Sequence, residues 1–416
     1  TFAQPLPQDF VPNMSNGYQL ASDDPKGFEN INPFPAGSLS SSAVDMSKFM
    51  LAHLQGGKLG DAQILKPETV KLMHSRLYGM DDAMPGMAHG FYEEPQNGKR
   101  IIGHGGDTMW FHSDLHLIED SGVGFFISYN SQSRGHSSPR EVIWNAFMDR
   151  YFPNPLPNEP TVENAKQEAQ AVAGSYLGSR RAENSAFRAL SMMTPATVAA
   201  GEDGTIQVSL LMGANGKPKK WRAIGAGKFR EVDGQDLIVF KPDQDGQMRL
   251  VTSYPFMTFT KVGALDNGKL LMPVVGLSLG IMLLMLILWF VAWWVRRSYG
   301  YKLELSPLEW KLRWGVRIIF ALNLIFVISF AVFVVYAFGH LEVLSDAGNS
   351  KLRLIQILGV IASLGSLVVF YNAIQTWMSK NFRIWGKLQS LIFVLATLGV
   401  LWFVYAGNLL SFTSTF

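Results

Sequence analysis

The sequence predicts an α+β domain, then a small antiparallel β domain, then four transmembrane helices. Three observations carry this expectation. Hydrophobic residues make up 48% of the 416 and charged residues only 17%, and the apolar excess falls after about Lys261. Before about Phe152, two helix-like segments precede a run of strands and a further helix, the pattern of an antiparallel sheet covered by helices. Between these regions, short apolar runs alternate with turn dipeptides, as in small all-β domains. On this reading residues 1–156 form the first domain, 157–263 the second and 264–416 the membrane domain.

The first helix is signalled by serines between Gly37 and Ser42 that can cap it, and by Val44, Phe49, Met50 and Leu54 at helical spacing before Gly56-Gly57. Lys66-Pro67-Glu68-Thr69 opens a second helix, with proline in the first turn and an acid near the positive dipole end. Ile101-Ile102-Gly103 leads into His104-Gly105-Gly106-Asp107. Ser113 to Ile118 alternates, with Leu115 and Leu117 on one face, and Gly122 to Tyr129 reads as a buried strand. Pro139 to Phe152 reads as an amphipathic helix with Val142, Ile143, Phe147 and Tyr151 on one side.

Four prolines between Pro153 and Pro160 mark a linker, and Val162 to Val172 a short helix. From Gly174 to about Val262, turns at Asp203-Gly204, Asn215-Gly216, Asp233-Gly234 and Asp245-Gly246 separate short strands, predicting a small antiparallel β-barrel or sandwich. Arg180, Arg181 and Glu183 read as a solvated ion cluster, with anion binding as the alternative.

Four runs without Asp, Glu, Lys or Arg are long enough to cross about 30 Å of hydrocarbon: roughly Leu270–Val295, Ile318–Gly339, Leu354–Trp377 and Leu388–Leu410. The first connection carries Arg296, Arg297, Lys302, Lys311, Arg313 and Arg317, and the third Lys380, Arg383 and Lys387. The second sets Glu342 and Asp346 against Lys351 and Arg353. Basic loops stay cytoplasmic. The expected arrangement is therefore an integral protein of a bacterial inner or plasma membrane, with the N-terminal domains and the C-terminus outside. Tryptophans at the span ends, Trp289 and Trp314 among them, suit the interfacial belts. Asn323 within a span reads as a helix–helix hydrogen bond.

Other classes are excluded. There is no cysteine, hence no thiol catalysis, cysteine-ligated zinc or disulfide. A formal charge of +3 with no phosphate loop gives no reason to expect nucleic acid as a partner. Thr1 to Phe10 has neither the basic nor the apolar region of a signal peptide. An exported domain needs one, so either a leader was removed or the natural protein begins further upstream.

The segment that carries chemistry is Gly103-His104-Gly105-Gly106-Asp107-Thr108, set between two strands. His112, Asp114 and His116 share a strand face by period two. Such a trio can bind zinc, but a solvent-facing polar strip opposite Leu115 and Leu117 is the simpler account. His89, before Gly90-Phe91, is a candidate for a substrate rim. Glu93-Glu94 and Asp81-Asp82 read as loop charges, and no Gly-x-Ser-x-Gly elbow is present.

Pro35 to Phe49, Ile64 to Met73, the His104 segment and Gly122 to Asn130, in that order, resemble the serine β-lactamase-related family. This family includes class C β-lactamases, D-Ala-D-Ala carboxypeptidases and esterase relatives. The resemblance covers roughly Thr1 to Phe152 and implies the C-terminal part of a β-lactamase/transpeptidase-like domain. Gly174–Val262 looks like the small β domain often appended to such hydrolases. In the family, Ser-x-x-Lys, Tyr-x-Asn and Lys-Thr-Gly or His-x-Gly surround the reacting acyl group. His104-Gly105-Gly106 matches the third. The resemblance implies that His104 assists proton transfer or holds a carboxylate, and that Gly106 admits the substrate closely. It also implies that the Asp107 backbone N–H is an oxyanion-hole donor. Gly105, Thr108 and His89 would border the substrate.

Neither Ser-x-x-Lys nor Tyr-x-Asn occurs in the chain, so nucleophile, lysine and tyrosine would lie in an N-terminal half upstream of Thr1, and the chain alone should be inactive. The implied function is a membrane-anchored serine hydrolase acting by acyl transfer, without cofactor or metal. Its partners would be the lipid bilayer and a peptidoglycan peptide, a β-lactam or a small ester or amide. The alternative is a non-catalytic membrane-anchored binding module that retains the hydrolase fold remnant.

Overall fold

The structure is a computed structural model. It describes residues 1–31, 34–132, 138–213, 215–340, 343 and 346–413, without the side chains of 346 and 347. Glu342, part of the reading of the second membrane loop, lies outside the described residues. The chain divides into two compact units: residues 1–179 with 196–261, and residues 180–195 with 262–416.

In the first unit, helix α1 (Ala43–Leu54) starts at Ser42, whose hydroxyl accepts the Asp45 N–H. A two-strand ribbon, β1 (Lys58–Leu59) and β2 (Ala62–Gln63), leads to α2 (Pro67–His74). A four-stranded antiparallel sheet follows, with β3 (Tyr92–Glu93), β4 (Ile102–Asp107), β5 (His112–Ile118) and β6 (Val123–Tyr129) in sequence order. Helix α3 (Pro139–Tyr151) comes next. His104 is registered with Leu115, Gly105 with Asp114 and Asp107 with His112. Alternation then sorts the sheet into two faces. On one, Ile102, Leu115 and Leu117 pack with Met50, Ala88 and Phe91 beneath α1. On the other, Ile101 and Ile118 pack with Trp144 and Met148 of α3.

The strand parity follows the sequence reading, but the helix faces do not. Helix α1 buries Met50, with Met46 and Leu54 beside it, whereas Val44 is 66% exposed. Helix α3 buries Trp144 and Met148 with Phe147 against them, while Val142 is 49% exposed and Ile143 and Tyr151 also face outward. The aromatic stripe wins because Trp144 offers the larger surface to the sheet and stacks on His116 there.

Behind α1, His53 Nδ1 and His74 Nε2 lie 3.0 Å apart, both rings buried, and His74 Nδ1 lies 2.7 Å from Glu119. Arg100 joins the same carboxylate at 2.8 Å. This chain of polar groups ties α1, α2 and the β4–β5 end together. Burial and the His74 charge push the His53 imidazole down, and the His74 hydrogen bond holds Glu119 low.

Helix α4 (Ala165–Val172) precedes a closed eight-stranded antiparallel barrel. Its strands are β7 (Gly174–Gly178), β8 (Ala196–Ala200), β9 (Thr205–Met212), β10 (Pro218–Gly225), β11 (Lys228–Glu231), β12 (Leu237–Pro242), β13 (Met248–Val251) and β14 (Thr258–Lys261). Pairing of β14 with β7 closes it, which decides between barrel and sandwich. Tyr176, Trp221, Phe229, Phe240 and Leu250 fill the interior, and Ala165, Ala169 and Val172 of α4 join this core. Lys241 of the barrel bonds Asp81 at 3.0 Å, and Val239 and Val251 pack on Met84.

In the second unit, α5 (Arg188–Met193), from the connection between β7 and β8, is joined by Arg188 to Asp266 at 3.1 Å. Four helices follow: α6 (Gly268–Ser298), α7 (Pro307–Gly339), α8 (Asp346–Met378) and α9 (Ile384–Ala406). All four are long and apolar enough to cross a membrane. Each packs on its chain neighbours, and α6 also packs on α9. Asn323 is buried, but among the described residues its amide donates to Ile319 of its own helix at 2.9 Å and not to a neighbouring helix. A buried polar tie between segments is Gln356, which donates to the Leu409 carbonyl at 3.1 Å.

The corrected faces set opposite costs for two aliphatic truncations. Ile102→Ala, at a fully buried site, should lower stability by about 2–5 kcal/mol, and Val142→Ala should change it by less than about 0.5 kcal/mol. Urea denaturation of the two variants measures both.

Candidate active site

His104, Gly105, Gly106 and Asp107 form the second half of β4, beyond the point where β3 stops pairing with it at Tyr92–Gly103. One edge of this stretch is bonded to β5, and no strand among the described residues pairs with the other. Backbone N–H groups alternate between the two edges. Thr108 N–H donates to Phe111 on the β5 side at 2.9 Å, and Gly105 N–H donates to the Tyr92 hydroxyl on the other side at 2.5 Å. Asp107 N–H therefore points to the open edge. The His104 ring is exposed and lies 5.3 Å from Tyr92, whose other neighbour is Phe256 of the barrel at 5.1 Å.

The three glycines do different things. A Cβ on Gly103 would fall 2.2 Å from the Glu94 carboxylate and 2.5 Å from the Leu115 carbonyl, so this glycine lets β3 and β4 close on each other. A Cβ on Gly105 would touch Tyr92 Oη at 3.1 Å. At Gly106 the nearest atom would be Ser113 Oγ at 3.9 Å, leaving open space beside the strand.

The Asp107 side chain is turned to the α3 face, where Arg140 Nη2 and His112 Nδ1 each bond it at 2.7 Å. Arg140 also donates to the Ser113 carbonyl at 2.9 Å. Burial alone would raise the Asp107 carboxyl, but Arg140 and His112 hold it below its ordinary value. The carboxylate thus anchors the strand end, and its backbone N–H is left for other work. Thr108, expected at the substrate, spends its hydroxyl on the turn: its Oγ1 accepts the N–H groups of Trp110 and Phe111. His89 is held through its backbone N–H to the Met73 carbonyl at 3.0 Å, on the α2 side.

The strip His112, Asp114 and His116 does not face solvent. It lies under α3, where His116 is 3% exposed and stacks on Trp144 with centroids 3.9 Å apart. His116 Nδ1 meets Glu94 at 2.7 Å and its Nε2 lies 3.6 Å from Asp114. Burial opposes the imidazolium, but hydrogen bonds and charge from Asp114 and Glu94 raise His116 to about 9. Burial pushes Glu94 up against the pull of His116. The shared proton sits on the imidazole, because two carboxylates face it. Burial likewise raises the Tyr92 phenol, which keeps its proton.

Glu94, Asp114 and His116 are also the described residues whose donor atoms come within 4.8 Å of one another as a group fit for a metal. A cation there would displace the His116–Glu94 bond and sit near Arg140, whose Nε is 3.9 Å from Asp114. An imidazolium between two carboxylates fits this geometry better. Arg180, Arg181 and Glu183 belong to the other unit, where Arg181 pairs with Glu183.

Tyr92, Glu94, Arg140 and Phe256 were missed from sequence. The signal at hand was Tyr92 and Glu94 two apart beside the glycine-rich strand, which puts both on one face.

Two measurements check this account. Gly103→Ala should lower the melting temperature sharply, whereas Gly106→Ala should leave it nearly unchanged. His116→Gln should unpair two partly buried carboxylates and cost at most about 3–5 kcal/mol. Because the folded imidazole is raised from 6.5 to about 9, its contribution is whole below pH 6.5 and is lost as pH rises through 9. The stability difference between wild type and His116→Gln, from denaturation at several pH values, should shrink across that window; a flat difference would contradict the imidazolium assignment.

A family model described as Beta-lactamase matches residues 3–146. No curated protein matches the chain. Similar solved structures include an octameric penicillin-binding protein homologue from Pyrococcus abyssi, at 16% identity and a TM-score of 0.28, covering 61% of this chain and 55% of that one. SurE with D-Leu is similar at 15% identity and a TM-score of 0.33, covering 53% and 50%. A second SurE structure is similar at 13% and 0.36, covering 59% and 55%. The chain thus spans 50–55% of the length of these three. By this match, residues 3–146 form a domain of the Beta-lactamase family.

Proposed function

We propose that this chain is the strand-edge and membrane part of a serine hydrolase of the β-lactamase/penicillin-binding type, acting by acyl transfer through a serine ester. The observation that carries the proposal is the open edge of β4: an exposed His104 ring, free space at Gly106 and an outward Asp107 N–H, pinned from behind by Arg140. An acyl carbonyl laid along this edge would place its oxygen at Asp107 N–H. Such donors stabilise the tetrahedral oxyanion and are worth about 3 kcal/mol of barrier. His104 would stand beside the leaving group or a substrate carboxylate. Tyr92 and Phe256 would wall the same edge.

The serine nucleophile and its lysine are outside this sequence, which holds no Ser-x-x-Lys and no Tyr-x-Asn. The second reading is a membrane-anchored binding module built on the same strand edge. In both readings the four apolar helices hold the domain to a bilayer. The basic residues of the α6–α7 and α8–α9 connections support a cytoplasmic position for those loops, leaving the N-terminal domains outside, where cell-wall peptides, β-lactams or esters would be met.

Labelling with a fluorescent penicillin and a fluorophosphonate separates the readings. The chain from Thr1 to Phe416 alone should not be labelled. The native protein, isolated from its own membranes, should be labelled at a serine, and His104→Ala should slow the reaction by about 10²–10⁴-fold. Native protein that takes no label with either probe would leave the binding module as the reading.

A further inference from the structure

Where α6 ends and α7 begins, the charge of the helical unit is one-sided. Arg296, Arg297, Lys302, Lys311, Arg313 and Arg317 face only Glu304 and Glu309 within this stretch. Glu309 is committed elsewhere: it accepts the Ser306 N–H at 2.8 Å in the α7 cap and the Ser379 hydroxyl at 3.1 Å. Glu304 is exposed in the connection. Both Arg313 Nε and Arg317 Nε are buried without a hydrogen-bond partner among the described residues. The Arg317 guanidinium lies over Trp289 at 5.1 Å and over Trp314 at 4.7 Å. Ring faces attract a cation but give its N–H groups no conventional acceptor. Arg296 is near enough for its charge to act on both Arg313 and Arg317. Buried donors without acceptors are costly, more so when charged, and mutually repelling guanidinium groups call for an anion.

Depth identifies its source. Helix α7 has 33 residues, about 50 Å at 1.5 Å per residue, against about 30 Å of hydrocarbon. The uncharged run Ile318–Gly339 accounts for that thickness, which puts Arg313 and Arg317 at the level of lipid phosphates. They are four residues apart and share one helix face. On α6, within one to five residues of Trp289 in sequence, Phe290, Trp293 and Trp294 are exposed, an apolar surface for acyl chains and not for a soluble ion.

We propose that Arg313 and Arg317, supported by Arg296, bind the phosphate of an anionic glycerophospholipid at the α6–α7 end of the bundle, flanked by Trp289 and Trp314. The proposal rests on these helices crossing a bilayer and is independent of the hydrolase reading.

The test is native mass spectrometry of the full chain in mild detergent, exchanged against equimolar phosphatidylglycerol and phosphatidylcholine. Wild type should retain phosphatidylglycerol in preference. The R313Q/R317Q variant should cut that preference roughly 30-fold, the order set by two basic residues at an anionic surface. The R297Q/K302Q variant, with the same charge removed from exposed positions, should keep it. Equal retention of the two lipids by wild type would overturn the proposal, as would equal losses in both variants. Full displacement of the lipid by millimolar inorganic phosphate would assign the site to free phosphate instead and overturn it too. If R313Q/R317Q does not fold, the wild-type competition and the phosphate titration still decide. A chain that partitions into the soluble fraction would defeat the membrane reading itself, an outcome distinct from equal lipid retention.

Discussion

The candidate site depends on the layer of charge trapped between the sheet and α3. His116 is held between Glu94 and Asp114, and Arg140 joins Asp107 and the Ser113 carbonyl to the same face. His116 is taken out of water, where an unpaired charge would be expensive, and its charge is offset by Glu94 and Asp114 beside it. Their pairing fixes where β3, β4 and β5 lie relative to α3. Because Asp107 is drawn to that face through its side chain, its peptide is fixed at the end of β4. The open strand edge is thus a consequence of chemistry on the opposite side from the site's own histidine.

Glycine supplies the second half of the arrangement. Gly103 lets Glu94 and the Leu115 carbonyl approach the strand, and Gly106 keeps the other end clear. A strand with side chains at both positions would have no room for the buried carboxylate and less for a ligand. The Tyr92 hydroxyl accepts the Gly105 N–H, so a β3 side chain continues where the β3 backbone pairing ends. Among the described residues, the edge has no strand partner where His104 and Asp107 border it.

Much of this was legible in the sequence, and the failures have physical reasons. Strand parity was readable because a period of two leaves no ambiguity: Leu115 and Leu117 had to share a face, and His112, Asp114 and His116 the other. What covered the second face was not readable, since it depends on α3 packing there and on Trp144 stacking over His116. Helical faces were less certain, because a 100° step places several overlapping stripes within reach of a core. Val142, Ile143 and Tyr151 form one such stripe and Trp144, Phe147 and Met148 another, and tertiary packing selected the second. The His104–Asp107 segment could be found because it is contiguous, whereas Arg140 and Phe256 reach it from distant parts of the chain. The turn dipeptides were dependable: Gly204, Gly216 and Gly246 take positive φ, and at the fourth turn Asp233 does so instead of its glycine.

Under the proposed function, the outer edge of β4, with Asp107 N–H directed outward, receives the oxygen of a reacting acyl group. The most direct measurement is a structure of the native protein after reaction with a phosphonate that mimics the tetrahedral intermediate. The account predicts a phosphonyl oxygen about 3 Å from Asp107 N, with the His104 ring beside the adduct. An adduct seated away from β4, or one whose oxygen meets no β4 N–H, would contradict it.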